Sequence, residues 1–299
     1  MEKNPERYAL ITGAAGGMGR IYAEKLAAAG YGLLLVDINA QGLEETAAIA
    51  RERFLRSARN DRGEAARNDR GETARNDKAT VTTSDGAAIV TAAVDLTADD
   101  AAAKVRAAAD AAGITVDILI NNAGMLFLSD ICETEPARLR RMVALHCTTP
   151  LLLCREFVPQ MRERGWGRVL NISSMTSGMA WPCIGMYANT KRFVKAYSKS
   201  LRMECRGSGV KVTVASFGAV DTDLFGFNEK QRRFLRTFGA MISPEKAVTK
   251  ALKAMSRGRR QITPGFLNRV ITAVSPLAPD WLICSLYRRF GSALKSMQR

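Results

Sequence analysis

The stretch "YALITGAAGGMGRIYAEKLAAAGYGLLLVD", residues 8–37, constrains the fold of this 299-residue chain more than any other segment. "YALIT" is a short apolar run of strand character, and "GAAGGMGR" is a turn that only glycine-rich backbone makes readily. "IYAEKLAAAG" is an Ala-rich helix closed by Gly30, and "YGLLLVD" is a continuous apolar run ending in Asp37. A strand without polar alternation is one buried on both faces, so two such strands joined through a helix predict a parallel pair. The alternation recurs in "IVTAAVD" (89–95), "VDILINNAG" (116–124), "GRVLNISS" (167–174) and "VKVTVASFGAV" (210–220), with helical segments at 98–112, 134–164 and 185–207. The expectation is an α/β, doubly wound parallel sheet in a single domain.

The first turn also carries chemistry. Gly13, Gly17 and Gly19 follow a strand and open a helix. They let the backbone turn tightly and approach a pyrophosphate, whose charge a helix N-terminus stabilises. Asp37 ends the next strand, where a carboxylate can hydrogen-bond both ribose hydroxyls of a dinucleotide and would repel a 2′-phosphate. The loop (Gly13, Gly17, Met18, Gly19) with Asp37 therefore predicts NAD, with NADP left open. The plainer alternative for Asp37 is a turn cap.

The formal net charge of +15 raises a nucleic-acid reading. Its placement decides the matter. Residues 228–299 hold 15 Lys/Arg against Glu229, Glu245 and Asp280, and residues 51–78 hold nine basic and six acidic groups. The remainder is close to neutral, a pattern that suits a local anionic surface better than a DNA-reading domain. "MEKNPERYALITG" has no long apolar run behind a positive start, and no stretch approaches 18 consecutive apolar residues, so neither a signal peptide nor a spanning helix is expected. Six scattered cysteines (132, 147, 154, 183, 205 and 284) without a C-x-x-C pair predict reduced thiols and a cytoplasmic setting. One histidine, His146, among dispersed cysteines supplies no metal-ligand spacing, so no metal is expected.

One segment breaks the α/β alternation. "ARNDRGEAARNDRGETARNDK" repeats an eight-residue unit with Ala58, Ala66 and Ala74 in register and has no apolar face at either period. Residues 56–79 are expected to be a solvated insertion, flexible or weakly helical.

Three motifs, "TGAAGGMG" at 12–19, "NNAG" at 121–124 and "YANTK" at 187–191, stand in the order and spacing of the short-chain dehydrogenase/reductase signatures. The chain resembles that family over roughly residues 5–264. The resemblance implies a Rossmann catalytic unit over 5–264, a substrate lid at 223–241 and an atypical extension at 265–299. It also implies cofactor contacts at Asp95 beside the adenine, at Asn121, Ala123 and Gly124 along a strand end, and at Val220 and Thr222 by the nicotinamide. Its catalytic set is Ser174, Tyr187 and Lys191, with family spacing favouring Ser174 over Ser173.

The residue types fit the chemistry. Tyr187 and Lys191, four apart on a helix, share one face. A nearby ammonium favours phenolate and is expected to draw the Tyr187 pKa from about 10 toward neutrality. Tyr187 could then give a proton to a carbonyl, or take one from an alcohol in reverse, with Ser174 holding the substrate oxygen.

Two positions depart from the family. Counting 25 residues from Asn121 reaches His146 in "VALHCTT", where the family carries an Asn that kinks its helix and holds a water in the proton relay. An imidazole can donate and accept, so His146 is expected to join the relay and to add pH dependence near neutrality; the alternative is that it only packs, with the relay using backbone carbonyl and solvent. Phe217 stands in "FGAV" where the family has Pro.

On the substrate side, "MTSGMAWPCIGM" (175–186) is rich in Met, and residues 223–241 carry four phenylalanines. Adaptable sulfur and aromatic surface suits an elongated apolar ligand. In "PDWLICSLYRRFGSALKSMQR", Trp281, Leu282, Leu286, Phe290 and Leu294 recur at helical spacing between Arg288, Arg289, Lys295 and Arg299. Such a helix lies on an anionic membrane surface or packs on protein. A homodimer through the helices at 134–164 and 185–207 is expected.

The reading is thus an oxidoreductase that interconverts a ketone and a secondary alcohol with NAD(H), on a hydrophobic lipid-like or sterol-like substrate. Reduction of a 3-oxoacyl or 3-ketosphinganine-type compound and oxidation of a hydroxysteroid both stay open. The competing class is a noncatalytic dinucleotide-binding sensor with a basic membrane-surface tail, suggested by the departures at His146 and Phe217.

Overall fold

The computed structural model describes residues 7–68, 89–179, 181–222, 229, 232–233 and 241–296. In the first βαβ unit, β1 (Tyr8–Thr12) leads through helix α1 (Gly17–Ala28) to β2 (Gly32–Asp37), and the two strands pair in parallel. Helix α2 (Ala40–Asn68) precedes β3 (Ile89–Ala93), and α3 (Ala101–Ala111) precedes β4 (Val116–Asn121). Helices α4 (Pro136–Val143) and α5 (Thr149–Glu163) lead to β5 (Gly167–Ser174), and α6 (Gly185–Glu204) leads to β6 (Val210–Phe217). A small parallel pair, β7 (Ala219–Val220) and β8 (Met241–Ile242), is followed by α7 (Pro244–Ser256) and β9 (Gln261–Ile262). The chain then runs through α8 (Phe266–Val274) and α9 (Asp280–Ser296).

The main sheet is seven-stranded and parallel, in the order β3-β2-β1-β4-β5-β6-β9. The direction of winding therefore reverses between β1 and β4, the place where parallel α/β sheets open a crevice at their carboxyl ends. Leu33, Leu34, Leu35 and Val36 are all buried, as a strand covered on both faces requires. Successive residues serve opposite faces. Ala9, Ile11, Leu33 and Leu35 join the core under α1, α2 and α7, whereas Leu10, Leu34 and Val36 join the core under α3 and α5.

The polar repeat, expected to be flexible or weakly helical, begins as a continuation of α2 to Asn68; the rest of the 56–79 insertion lies outside the described residues. One element differs from the sequence expectation. The single helix expected at 134–164 is broken by a π-helical turn at Ala144–Thr148, in which Thr149 N–H bonds the Ala144 carbonyl five residues back. Pro150 explains the break. It has no N–H to give the His146 carbonyl four residues earlier, so the α-ladder widens at that point. Most of the expected lid, 223–241, and the last three residues also lie outside the described residues.

Candidate active site

The carboxyl ends of β1, β4, β5 and β6 open into a cleft of about 300 Å3. Gly13, Gly16, Gly17, Met18 and Asp37 line one side, and Tyr187, Lys191, Phe217, Val220 and Thr222 line the other. Two strand-end residues, Ala123 and Gly124, lie in both this cleft and an adjoining one of about 220 Å3, which Asp95 lines.

The glycine turn is built for close backbone approach. Gly13 has φ +67° and sits where a Cβ would come within 2.8 Å of Ala123 Cα. Gly19 packs helix on strand so tightly that a Cβ would stand 1.9 Å from the Gly13 carbonyl. Gly19 thus shapes the turn and does not line the cleft. Gly16, missed by the sequence reading, does line it, and as N-cap of α1 it offers no side-chain hydrogen bond to the first N–H groups of the helix. These groups and the dipole behind them fit an anionic pyrophosphate. Asp37 is fixed by two backbone donors: Ala15 N–H bonds Oδ2 at 3.1 Å and Asn39 N–H bonds Oδ1 at 3.0 Å. Arg20, the basic residue of this turn, is committed to Glu45 at 2.9 Å and to the Ala15 carbonyl at 3.0 Å. Asp95 accepts from Thr97 N–H and Oγ1, and these bonds hold its carboxyl below the usual range.

Asn121 corrects the expectation for the strand end. Its side chain is buried away from the cleft, where Nδ2 donates to Asn171 Oδ1 at 2.8 Å. The neighbouring Asn122 faces the cleft and ties β4 to β1, donating to the Thr12 carbonyl at 3.0 Å. Strand alternation was the available signal, since adjacent residues of a strand point to opposite faces.

Tyr187 and Lys191 enter from α6, with Lys191 Nζ 5.7 Å from the Tyr187 ring centre and 3.1 Å from the Ile172 carbonyl it donates to. Both side chains are buried. Burial pushes the Tyr187 phenol up to about 12, and a hydrogen bond from Ser174 opposes that rise. The same burial pulls the Lys191 ammonium down to about 8. The expected drift of Tyr187 toward neutrality is therefore not seen, because desolvation of the phenolate outweighs the Ser174 hydrogen bond that opposes it.

The two adjacent serines have different tasks. Ser173 Oγ donates to the Lys191 carbonyl at 2.8 Å, a structural tie. Ser174 Oγ accepts from Thr176 N–H at 3.2 Å and Thr176 Oγ1 at 2.9 Å, which leaves its own proton for the Tyr187 phenol. Thr176, absent from the sequence reading, thereby orients Ser174. Ser174 is not part of the cleft lining and reaches the cleft through Tyr187.

His146 is 1% exposed, and both ring nitrogens are engaged. Met125 N–H donates to Nε2 at 2.9 Å. Nδ1 lies 2.9 Å from Thr190 Oγ1, whose own proton goes to the Tyr187 carbonyl at 2.8 Å. Only the neutral tautomer carrying its proton on Nδ1 satisfies both contacts. Burial, then the Lys191 charge, hold the imidazole well below its ordinary pKa. The expected ionisation near neutrality is thus suppressed, and neither nitrogen offers a free lone pair to a relay water.

Residues 64–233 match the family model described as short chain dehydrogenase. The chain belongs to the short-chain dehydrogenase family. It is 26% identical over 294 residues to the very-long-chain 3-oxoacyl-CoA reductase of Bos taurus, covering 96% of this chain and 80% of that protein. It is 27% identical over 288 residues to the 17-beta-hydroxysteroid dehydrogenase type 3 of Danio rerio, covering 93% and 79%. A solved 7beta-hydroxysteroid dehydrogenase structure matches with TM-score 0.71 at 21% identity, over 92% of this chain and 94% of that one, a likeness of fold. As a member of this family the chain is a Rossmann-fold, NAD(P)-dependent oxidoreductase acting on CH–OH donors.

Proposed function

We propose that this short-chain dehydrogenase reduces the ketone of an elongated apolar molecule to a secondary alcohol, with NADH preferred over NADPH. When bound, the nicotinamide supplies the hydride, and Val220 and Thr222 with Gly124 are the residues that would hold it. Asp37 would receive the adenosine ribose hydroxyls, and Asp95 would stand beside the adenine. Its two backbone donors keep the Asp37 carboxylate in place, and with Arg20 tied to Glu45 this turn has no uncommitted cation of its own for a 2′-phosphate.

The observation that carries the reading is the placement of the Tyr187 phenol in the cleft with Lys191 Nζ 5.7 Å from its ring centre. Burial raises the phenol's pKa, which favours the protonated state that a general acid for ketone reduction needs. Ser174 donates to the phenol oxygen, so the Tyr187 proton is left to point at the substrate carbonyl. The Lys191 ammonium favours the negative charge that develops on the phenol oxygen as that proton leaves. Reprotonation is assigned to backbone and solvent rather than to the imidazole. Pro150 leaves the His146 carbonyl without its helical donor, so that carbonyl can seat a water toward Lys191.

The apolar substrate rests on the Met-rich 175–186 segment and on the relatives named for very-long-chain acyl and steroid substrates. Residues 5–264 form the catalytic unit in this reading, with 223–241 as its lid and 265–299 as an appended surface element. Leu151 and Leu152 on α5 and Phe193 on α6 remain exposed, which supports a homodimer through these helices. NADH oxidation on a panel of 3-oxoacyl, sphingoid and steroid ketones tests the proposal, with Tyr187→Phe as the inactive control.

A further inference from the structure

The last two helices present an apolar face that the body of the enzyme does not cover. Phe266, Val270, Val274 and Leu277 lie along one side of α8 and the turn after it, while Leu282, Leu286 and Phe290 lie along α9. Exposure is greatest at the 113° bend, where Leu277 is 78% exposed and Trp281 70%, and at the far end of α8, where Phe266 is 80% exposed. Surface apolar residues scattered singly need no explanation, but a contiguous set on both arms of a hairpin does.

The opposite side of the hairpin is firmly seated. Asn268 is buried against Gly218, donating to the Pro264 carbonyl at 2.9 Å. Pro276 packs on Gly178, close to Ser174. Tyr287 gives its hydroxyl proton to Asp130, whose other oxygen accepts from Cys183 N–H at 3.2 Å. The hairpin is thus held on the two loops that flank the catalytic residues, with its apolar face turned outward.

We propose that this face docks the enzyme on an anionic lipid surface. The inference goes beyond the catalytic reading and does not depend on it. Charge supplies the choice of occupant. From residue 257 to 299 the chain carries eight Lys/Arg and a single acid, Asp280. Arg269 on α8 and Arg288 and Arg289 on α9 are all exposed. Apolar side chains rimmed by cations match a negatively charged headgroup layer over hydrocarbon. A second copy of the chain would instead bring the same cations together.

Length says how deep the hairpin goes. The 9 residues of α8 and 17 of α9 extend about 14 and 25 Å, short of a hydrocarbon core of about 30 Å. Among the described residues no single helix is long and apolar enough to cross a membrane. The hairpin therefore lies in the interface, with Leu277 and Trp281 at its inserted corner and Phe266 at the start of its first arm. Between its arms and Trp181 is an apolar groove of about 320 Å3, where the buried Ser275 hydroxyl and Trp181 Nε1 have no hydrogen-bond partner.

The test is sedimentation of the full chain with vesicles of phosphatidylcholine alone and of phosphatidylcholine mixed with phosphatidylglycerol. Solution mass and NADH binding are followed alongside. The parent should sediment with the anionic vesicles and far less with the neutral ones. The triple variant Phe266→Ser/Leu277→Ser/Trp281→Ser should lose roughly tenfold or more of that affinity, with mass and NADH binding unchanged. Arg288→Glu/Arg289→Glu, which alters no apolar side chain, should weaken binding to anionic vesicles only. Failure of the parent to sediment, or parent-like binding by the triple variant, overturns the proposal. So does a triple variant of halved solution mass, which would make the face a contact between copies.

Discussion

Nδ1 of His146 donates to the Thr190 hydroxyl across 2.9 Å, and Thr190 in turn donates to the Tyr187 carbonyl at 2.8 Å. With Met125 N–H on its other nitrogen, the imidazole links the exit of β4 to the helix that presents Tyr187 and Lys191. It is a neutral spacer, and that assignment has consequences for pH. Because its folded-state pKa lies below the unfolded value, the unfolded chain takes up a proton that the native one does not. The stability that His146 contributes is therefore present above about pH 6.5 and lost as pH falls below it. His146→Asn should cost about 1–2 kcal/mol at neutral pH and should flatten the loss of stability between about pH 7 and pH 5. Its pH–rate profile should keep the parent's shape. Urea unfolding at the two pH values and a pH–rate series check this, and a step near pH 6.5 present only in the parent would restore a proton-relay role.

Lys191 and Tyr187 make a prediction of opposite range. The phenol near 12 stays protonated through the working range, while the ammonium near 8 does not. Ketone reduction should be level below about pH 7.5 and decline above about pH 8 as Lys191 loses its charge. Lys191→Arg keeps the charge and should move the decline to higher pH at a lower overall rate. Initial rates from about pH 6 to pH 10 at saturating NADH measure both.

Asp37 sets the expected cofactor preference. NADH should bind more tightly than NADPH, and Asp37→Ala should narrow the gap by roughly tenfold by removing one repelling charge. Fluorescence titration of each nucleotide reads the effect. Equal affinities in the parent would remove the assignment.

The glycines of the first turn should separate by mechanism. A Cβ at Gly19 would meet the Gly13 backbone at 1.9 Å, so Gly19→Ala must displace α1 from β1. At Gly17 the nearest atom to a new Cβ is 3.8 Å away, and the cost is the positive φ of +52°, about 1 kcal/mol. Gly19→Ala should lower both Tm and NADH affinity strongly, and Gly17→Ala should lower Tm slightly. Thermal melts with and without NADH distinguish them.

The fold was legible because its signals are local and repeated. Apolar strands ending in Asp37, Asn121 and Ser174 alternate with helices, and buried parallel strands tolerate little else. Tyr187 and Lys191 were legible because four residues on a helix fix a shared face. The side on which Asn121 and Asn122 point was in principle readable from strand alternation, but motif position outweighed it. The pKa of Tyr187 and the state of His146 were not readable, since both depend on burial and on partners over 20 residues away, Met125 and Thr190 for His146. The π turn was half visible, as Pro150 stood in the sequence while the freed His146 carbonyl required the helix to be built around it.

The central claim is that Tyr187 gives the proton that completes NADH-dependent reduction of an apolar ketone. The measurement is absorbance at the nicotinamide band with the full chain, NADH and the panel of 3-oxoacyl, sphingoid and steroid ketones, run in parallel with Tyr187→Phe. The account predicts NADH consumption on at least one of these ketones by the parent, with loss of turnover but retained NADH binding in the variant. Equal turnover by Tyr187→Phe would contradict it, as would a parent that binds NADH and consumes none with any ketone of the panel.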